Sequence, residues 1–283
     1  MYKTIELTSK NSSTVAKVNP ANGQLYYFGL KRDGRNVMWP GGAPQEERPK
    51  SYGWPNTITF PFPTYGPVPN DGHITVNGEK HKLVQHGLRY NNWKLAYASE
   101  DTATFAQSYT AGTVIQSDKG EAEYPASYTM IGEYKVENST LHILLNTENT
   151  GSAPLTCAPT LHPAYMLYTV GKFVYEGSAY DVREVLHESG HVRTLKDINS
   201  VSLVSDYGKV TVQHDLGNTW LWVPPVSDLN QSPYLAAIEA STTPELLTDE
   251  QNKDKELSEV NGYRTLLRGK KATYHYSITI DEL

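Results

Sequence analysis

The stretch ATYHYSITI at 272–280 sets Tyr274, Tyr276, Ile278 and Ile280 in strict alternation with Thr273, His275, Ser277 and Thr279. A period of two puts one set of side chains on one side of a pleated strand, which predicts a strand with one buried face. Stretches of the same kind recur at TATFAQSY, SYTMIGEYKV, KFVYEG, VSLVS, KVTVQH, TWLWVP and YLAAIEA. Turn chemistry separates them. Asp33-Gly34 follows GQLYYFGLKR, Asn77-Gly78 sits between HITV and EKHKL, and KVENSTLHILL reads as two strands joined at 137–140. Helical signals are confined to PELLTDEQNKDKELSEV, after Pro244, and to a turn in YDVREVL. Many short strands at regular spacing, with no long Ser-rich or charged linker and no repeat, predict one all-β domain over 1–283, a sandwich or a barrel.

Charge and cysteine content narrow the function. The chain has 25 basic and 31 acidic residues, a net charge of -6, and its Lys and Arg do not cluster into a phosphate-tracking face. Nucleic acid is therefore not an expected partner. With the single cysteine Cys157, no internal disulfide or metal-binding thiol pair can form, which fits a reducing compartment. The start, MYKTIELTSKNSS, lacks the apolar run of a secretory signal, and no apolar run is long enough to cross a bilayer. A soluble, cytoplasmic protein without a membrane partner is expected. Between 49 and 71 six prolines crowd together, each removing a backbone donor, so this region is expected to be a rigid surface loop rather than a central strand.

Three polar residues stand among apolar or turn-forming neighbours: His86 in VQHGL, His162 in PTLHPAYMLY and Glu239 in YLAAIEAS. An ionised carboxylate in the Glu239 strand is costly unless it is paired, and either a structural ion pair or a catalytic role would meet that demand. His162 precedes Pro163, which biases it towards an extended backbone; a core histidine and a reactive one both remain open. The 20 tyrosines offer ring faces and hydroxyls suited to sugars, although tyrosine also favours half-buried pleated surfaces. A metal site at His73, His81 and His86 is less expected, because period-two geometry puts His81 and His86 on opposite faces of a continuous strand, and they would need a turn between them to share an ion.

The run DGHITVNGEKHKLVQHGLR followed by Trp93, then His162-Pro163-Ala164-Tyr165, then Glu239 in AAIEASTTPE, resembles in order the motifs of the aldose 1-epimerase (galactose mutarotase-like) family. TFPFP at 59–63 is similar to that family's proline-rich approach to its first histidine. The resemblance implies a large antiparallel β-sandwich of the galactose mutarotase type with an aldose in a cleft on one sheet and no cofactor or metal. It also implies that His162 is a general acid and Glu239 a general base, with His86, Arg89 and Trp93 contacting the sugar. The family's sugar-binding aspartate has three candidates here, Asp197, Asp206 and Asp215.

That chemistry is consistent with the residue types. Opening a pyranose ring needs two proton transfers of opposite sense and no redox group, metal or nucleophile. The alternative from another class is a noncatalytic carbohydrate-binding protein on the same fold. A glycosidase would need two facing carboxylates, of which only Glu239 can be identified.

Overall fold

The computed structural model describes residues 4–11, 13–39, 57–59, 73–82, 93–117, 120–167, 171–206, 208–226, 234–247 and 249–281. Two large sheets with antiparallel pairing dominate it. The larger has nine strands in the order Ser178–Asp181, Gly171–Tyr175, Ser200–Ser205, Gly208–His214, Lys271–Asp281, Thr140–Asn149, Tyr128–Glu137, Thr102–Tyr109 and Lys94–Ala98. The smaller runs Val192–Leu195, Asn218–Trp222, Leu235–Ser241, Thr160–His162 and Thr57–Thr59, with Ala164–Met166 also paired to Leu235–Ser241. A three-stranded sheet of Ile5–Thr8, Thr14–Val18 and Leu25–Leu30 stands beside them.

Alternation builds the inner face of the nine-stranded sheet. Tyr274, Tyr276, Ile278 and Ile280 are buried on Lys271–Asp281, and Thr140–Asn149 alternates partly buried and buried residues along its whole length. Facing them are Leu161, Tyr165, Leu221, Ala236, Ile238 and Ala240 of the smaller sheet, all within one main apolar cluster. Sheet-on-sheet packing of this kind buries apolar side chains from both layers. The tight hairpins follow their turn residues: Asn138 has φ 52°, Asn77 φ 55° and Gly78 φ 80°, the left-handed region that two-residue loops need.

Two expectations are corrected. The segment after Pro244 forms no α-helix, only the 3₁₀ turns Glu250–Asn252 and Leu257–Glu259. Its apolar residues Leu247, Leu257 and Val260 are all buried, and the buried Asn252 amide donates to Glu245 Oε2 and the Leu246 carbonyl. Within the proline-rich region, Thr57–Thr59 is a strand rather than loop, and the rest of 49–71 lies outside the described residues. Among the described residues, that strand is the last of the smaller sheet, next to Thr160–His162. The hairpin at Asp33-Gly34 stays partial: Val37 N–H donates to the Phe28 carbonyl, then Met38 leaves to bridge Tyr165. The turn in YDVREVL is the 3₁₀ helix Val182–His187, closed by an Asp181–Glu184 capping box. Among the described residues, no helix is long and apolar enough to cross a membrane.

Candidate active site

His162 and Glu239 are 77 positions apart in the chain, yet strand register brings them together. Thr160 pairs with Ser241 and Leu161 with Ala240 on one side of Pro163; Ala164 pairs with Ala237 and Tyr165 with Ala236 on the other. The register is the same across the proline, so His162 stands opposite Glu239. Trp220 pairs with Glu239 from the other side, Thr194 pairs with Trp220, and Thr57 pairs with His162. One row of side chains thus crosses the smaller sheet as Thr194, Trp220, Glu239 and His162, since cross-strand partners share a face.

That face is the one turned away from the nine-stranded sheet. On Leu235–Ser241 the even-numbered residues enter the main core, and Leu235 and Ala237 instead join Ala164, Val192, Trp220 and Trp222 in a separate apolar cluster. Trp39 and Leu246 pack against it, and the Trp39 and Tyr234 rings meet at 5.0 Å with a 51° tilt. Within this apolar surround, His162 Nδ1 lies 3.2 Å from Glu239 Oε1, with side-chain exposures of 1% and 0%. This is an ion-pair distance without the alignment of a hydrogen bond. A carboxylate and an imidazolium so far from solvent are costly to bury unless each serves the other.

The surroundings are held firmly. Trp220 Nε1–H donates to the Thr243 carbonyl at 3.0 Å, Asn218 Nδ2–H donates to the Thr242 carbonyl at 3.0 Å, and Thr160 Oγ1 donates to Ser241 Oγ at 3.0 Å. The chain leaving the Glu239 strand is also pressed closely by Gly262, where an added Cβ would lie 2.2 Å from the Thr242 carbonyl oxygen.

Of the five residues singled out from the sequence, two meet here. His86 and Arg89 lie outside the described residues. Trp93 is 8% exposed and belongs to the main core cluster, not to the cluster around Glu239. Asp197 sits in an exposed turn with φ 59°, and Asp215 accepts from the His275 backbone N–H at 2.8 Å. Asp206 is exposed just beyond the strand Ser200–Ser205. Trp220 and Trp222 were not singled out, although their alternation about Leu221 in TWLWVP is the signal that puts them on one face. A separate small pocket, bordered by Val37, Tyr165, Met166, Leu203 and Ile280, includes the core-facing Tyr165 but neither His162 nor Glu239.

No protein-family model matches the chain, and neither does any curated protein. Solved structures do. A galactose mutarotase-like protein from Lactobacillus casei superposes with a TM-score of 0.71 over 99% of this chain and 100% of its own, at 16% identity. The fold is galactose mutarotase-like. A galactose mutarotase related enzyme from Lactobacillus acidophilus gives 0.71 over 98% of each chain at 16% identity, and a GalM/aldose epimerase homologue from C. elegans gives 0.66 over 99% of each at 13%. At such identities the galactose mutarotase-like fold is what is shared, and chemistry has to be argued from this chain's own side chains.

Proposed function

We propose that this protein is an aldose 1-epimerase, interconverting the α and β anomers of a monosaccharide at the His162–Glu239 pair. The observation that carries this reading is the 3.2 Å contact between His162 Nδ1 and Glu239 Oε1 on adjacent strands. The anomeric hydroxyl and the ring oxygen of a pyranose are bonded to the same carbon. The base serving one and the acid serving the other must therefore be neighbours, as these two side chains are.

In this mechanism the Glu239 carboxylate takes the proton from the anomeric hydroxyl while the His162 imidazolium protonates the ring oxygen. The bond from C1 to the ring oxygen breaks, leaving an open-chain aldehyde. Rotation about the C1–C2 bond presents the other carbonyl face, and closure with the proton roles reversed gives the other anomer. No electron is transferred and no group leaves. His86 and Arg89 are proposed to orient the sugar through its hydroxyls, and the apolar surround of Trp220, Trp222 and Trp39 gives the sugar's C–H faces a surface to lie against. The low net basicity, without an evident arginine cluster, favours neutral over phosphorylated sugars.

The burial of both side chains favours a second reading, a carbohydrate-binding protein in which the pair is a structural ion pair. Polarimetry on freshly dissolved α-glucose and α-galactose separates the two. Faster equilibration than buffer, lost in Glu239→Gln and His162→Asn, supports the enzyme. Sugar binding with no acceleration by the parent protein removes it.

A further inference from the structure

Pro163 lies between the two halves of the strand that carries His162, and its backbone position has a definite partner. Trp39 N–H donates to the Ala164 carbonyl at 2.8 Å, and Met166 N–H donates to the Val37 carbonyl at 2.9 Å. Ala164 and Met166 therefore turn their backbone groups away from Leu235–Ser241, and the alternate residues Pro163 and Tyr165 turn theirs towards it. The register of Leu161 with Ala240 and Ala164 with Ala237 sets Pro163 opposite Ile238. Any other residue at 163 would donate its N–H to the Ile238 carbonyl; proline has none to give.

A donor arrives from the other sheet instead. The Tyr276 hydroxyl, rising from Lys271–Asp281, donates to the Ile238 carbonyl at 2.9 Å. Its oxygen lies 2.9 Å from the Tyr165 hydroxyl, and since the Tyr276 proton is spent on Ile238, Tyr165 is the donor in that pair. Both tyrosines are fully buried, and burial pushes both phenols above their ordinary range, so the chain of hydroxyls stays neutral. The relay runs from Tyr165, three residues beyond His162, through Tyr276 to Ile238, the residue before Glu239.

We propose that Tyr276 is a positioning residue for the His162–Glu239 pair, its hydroxyl replacing the ladder bond that Pro163 deletes between the two site-bearing strands. The device leaves the backbone around His162 free of one ladder constraint and returns that constraint from the core, where it anchors the Glu239 strand to the nine-stranded sheet. It rests on the epimerase reading for its catalytic consequence, but its hydrogen-bond logic can be tested without turnover.

Tyr276→Phe removes the donor and keeps the ring. Its kcat for anomer exchange should fall on the order of 10-fold or more, with KM changed far less, because misplacement of an acid–base pair acts on the reacting geometry. Pro163→Ala restores an N–H opposite the Ile238 carbonyl, so the double variant Tyr276→Phe/Pro163→Ala should recover most of the lost kcat. Tyr165→Phe, which keeps the bond to Ile238, should lose much less than Tyr276→Phe. The parent, Tyr276→Phe, Pro163→Ala and the double variant are compared by urea midpoint, where the double variant should be more stable than the two single losses added together predict. An unchanged kcat in Tyr276→Phe, or a loss that Pro163→Ala does not reduce, overturns the proposal. If the parent does not exchange anomers, the epimerase reading falls, and the urea comparison alone decides: additive losses there overturn the device, and rescue upholds it as a device of the fold.

Discussion

His214 gives the sharpest pH prediction. Its Nε2 lies 2.8 Å from Thr219 Oγ1, and that hydroxyl gives its own proton to the Ile198 carbonyl at 2.7 Å, so His214 must donate from Nε2 and carry no proton on Nδ1. The ring stacks on Tyr276 at 6.2 Å with an interplanar angle of 7°, in a site that is 7% exposed. Burial lowers its pKa from 6.5 to about 4. The folded protein thus takes up this proton later than the unfolded chain as pH falls. The stability that neutral His214 allows is whole above the unfolded value of 6.5 and is lost as pH falls through the folded value. A gap of this size corresponds to about 3 kcal/mol between pH 7.5 and pH 4. Urea unfolding of the parent and of His214→Gln across that range measures it, because the other titrating groups, including the partly buried His142, are common to both proteins. The parent should lose about 3 kcal/mol more than the variant on acidification. Stability curves that run parallel from pH 7.5 to pH 4 would show that His214 titrates alike in the folded and unfolded chain.

Other perturbations have equally definite outcomes. Glu239→Gln and His162→Asn should each slow anomer exchange about 10²- to 10⁴-fold, read by polarimetry, while sugar binding by calorimetry stays detectable. Gly262→Ala meets the Thr242 carbonyl oxygen and the Thr243 Cα at 2.2 and 2.4 Å from a backbone with φ 83°, so it should destabilise by several times the roughly 1 kcal/mol expected of Gly78→Ala, whose Cβ meets nothing within 4 Å. Thermal melts of the two variants check that order. Cys157, buried and with its thiol pushed up to about 12 by that burial, should resist a thiol reagent in the native protein and react at once in urea.

Much of this architecture can be read from residues in series. The period-two alternation at 272–280 and the Asn-Gly turn at 77–78 are local signals, and the strands and hairpin there follow them. Thr57–Thr59 gives no such signal: these three residues, in a proline-rich stretch of the sequence, are a strand through their pairing with the distant Thr160–His162. Lys94–Ala98, exposed at every position, is a strand by virtue of its neighbour Thr102–Tyr109 and shows no buried face to read. In the candidate site, His162 and Glu239 stood out as polar residues in apolar surroundings, a cost visible without coordinates. Their adjacency did not, since it depends on a register that runs unbroken past Pro163. The tryptophans divide in the same way: a ring's face of the sheet is set by tertiary packing, which sends Trp93 to the main core and Trp220 and Trp222 to the side of Glu239.

A crystal structure of the protein soaked with galactose or glucose measures directly where a sugar's reacting carbon sits. The sugar should lie beside the His162 strand, with its anomeric hydroxyl within hydrogen-bond reach of Glu239 and its ring oxygen within reach of His162. A bound sugar that leaves these two side chains in contact only with each other, and places its C1 elsewhere, would contradict the proposed mechanism.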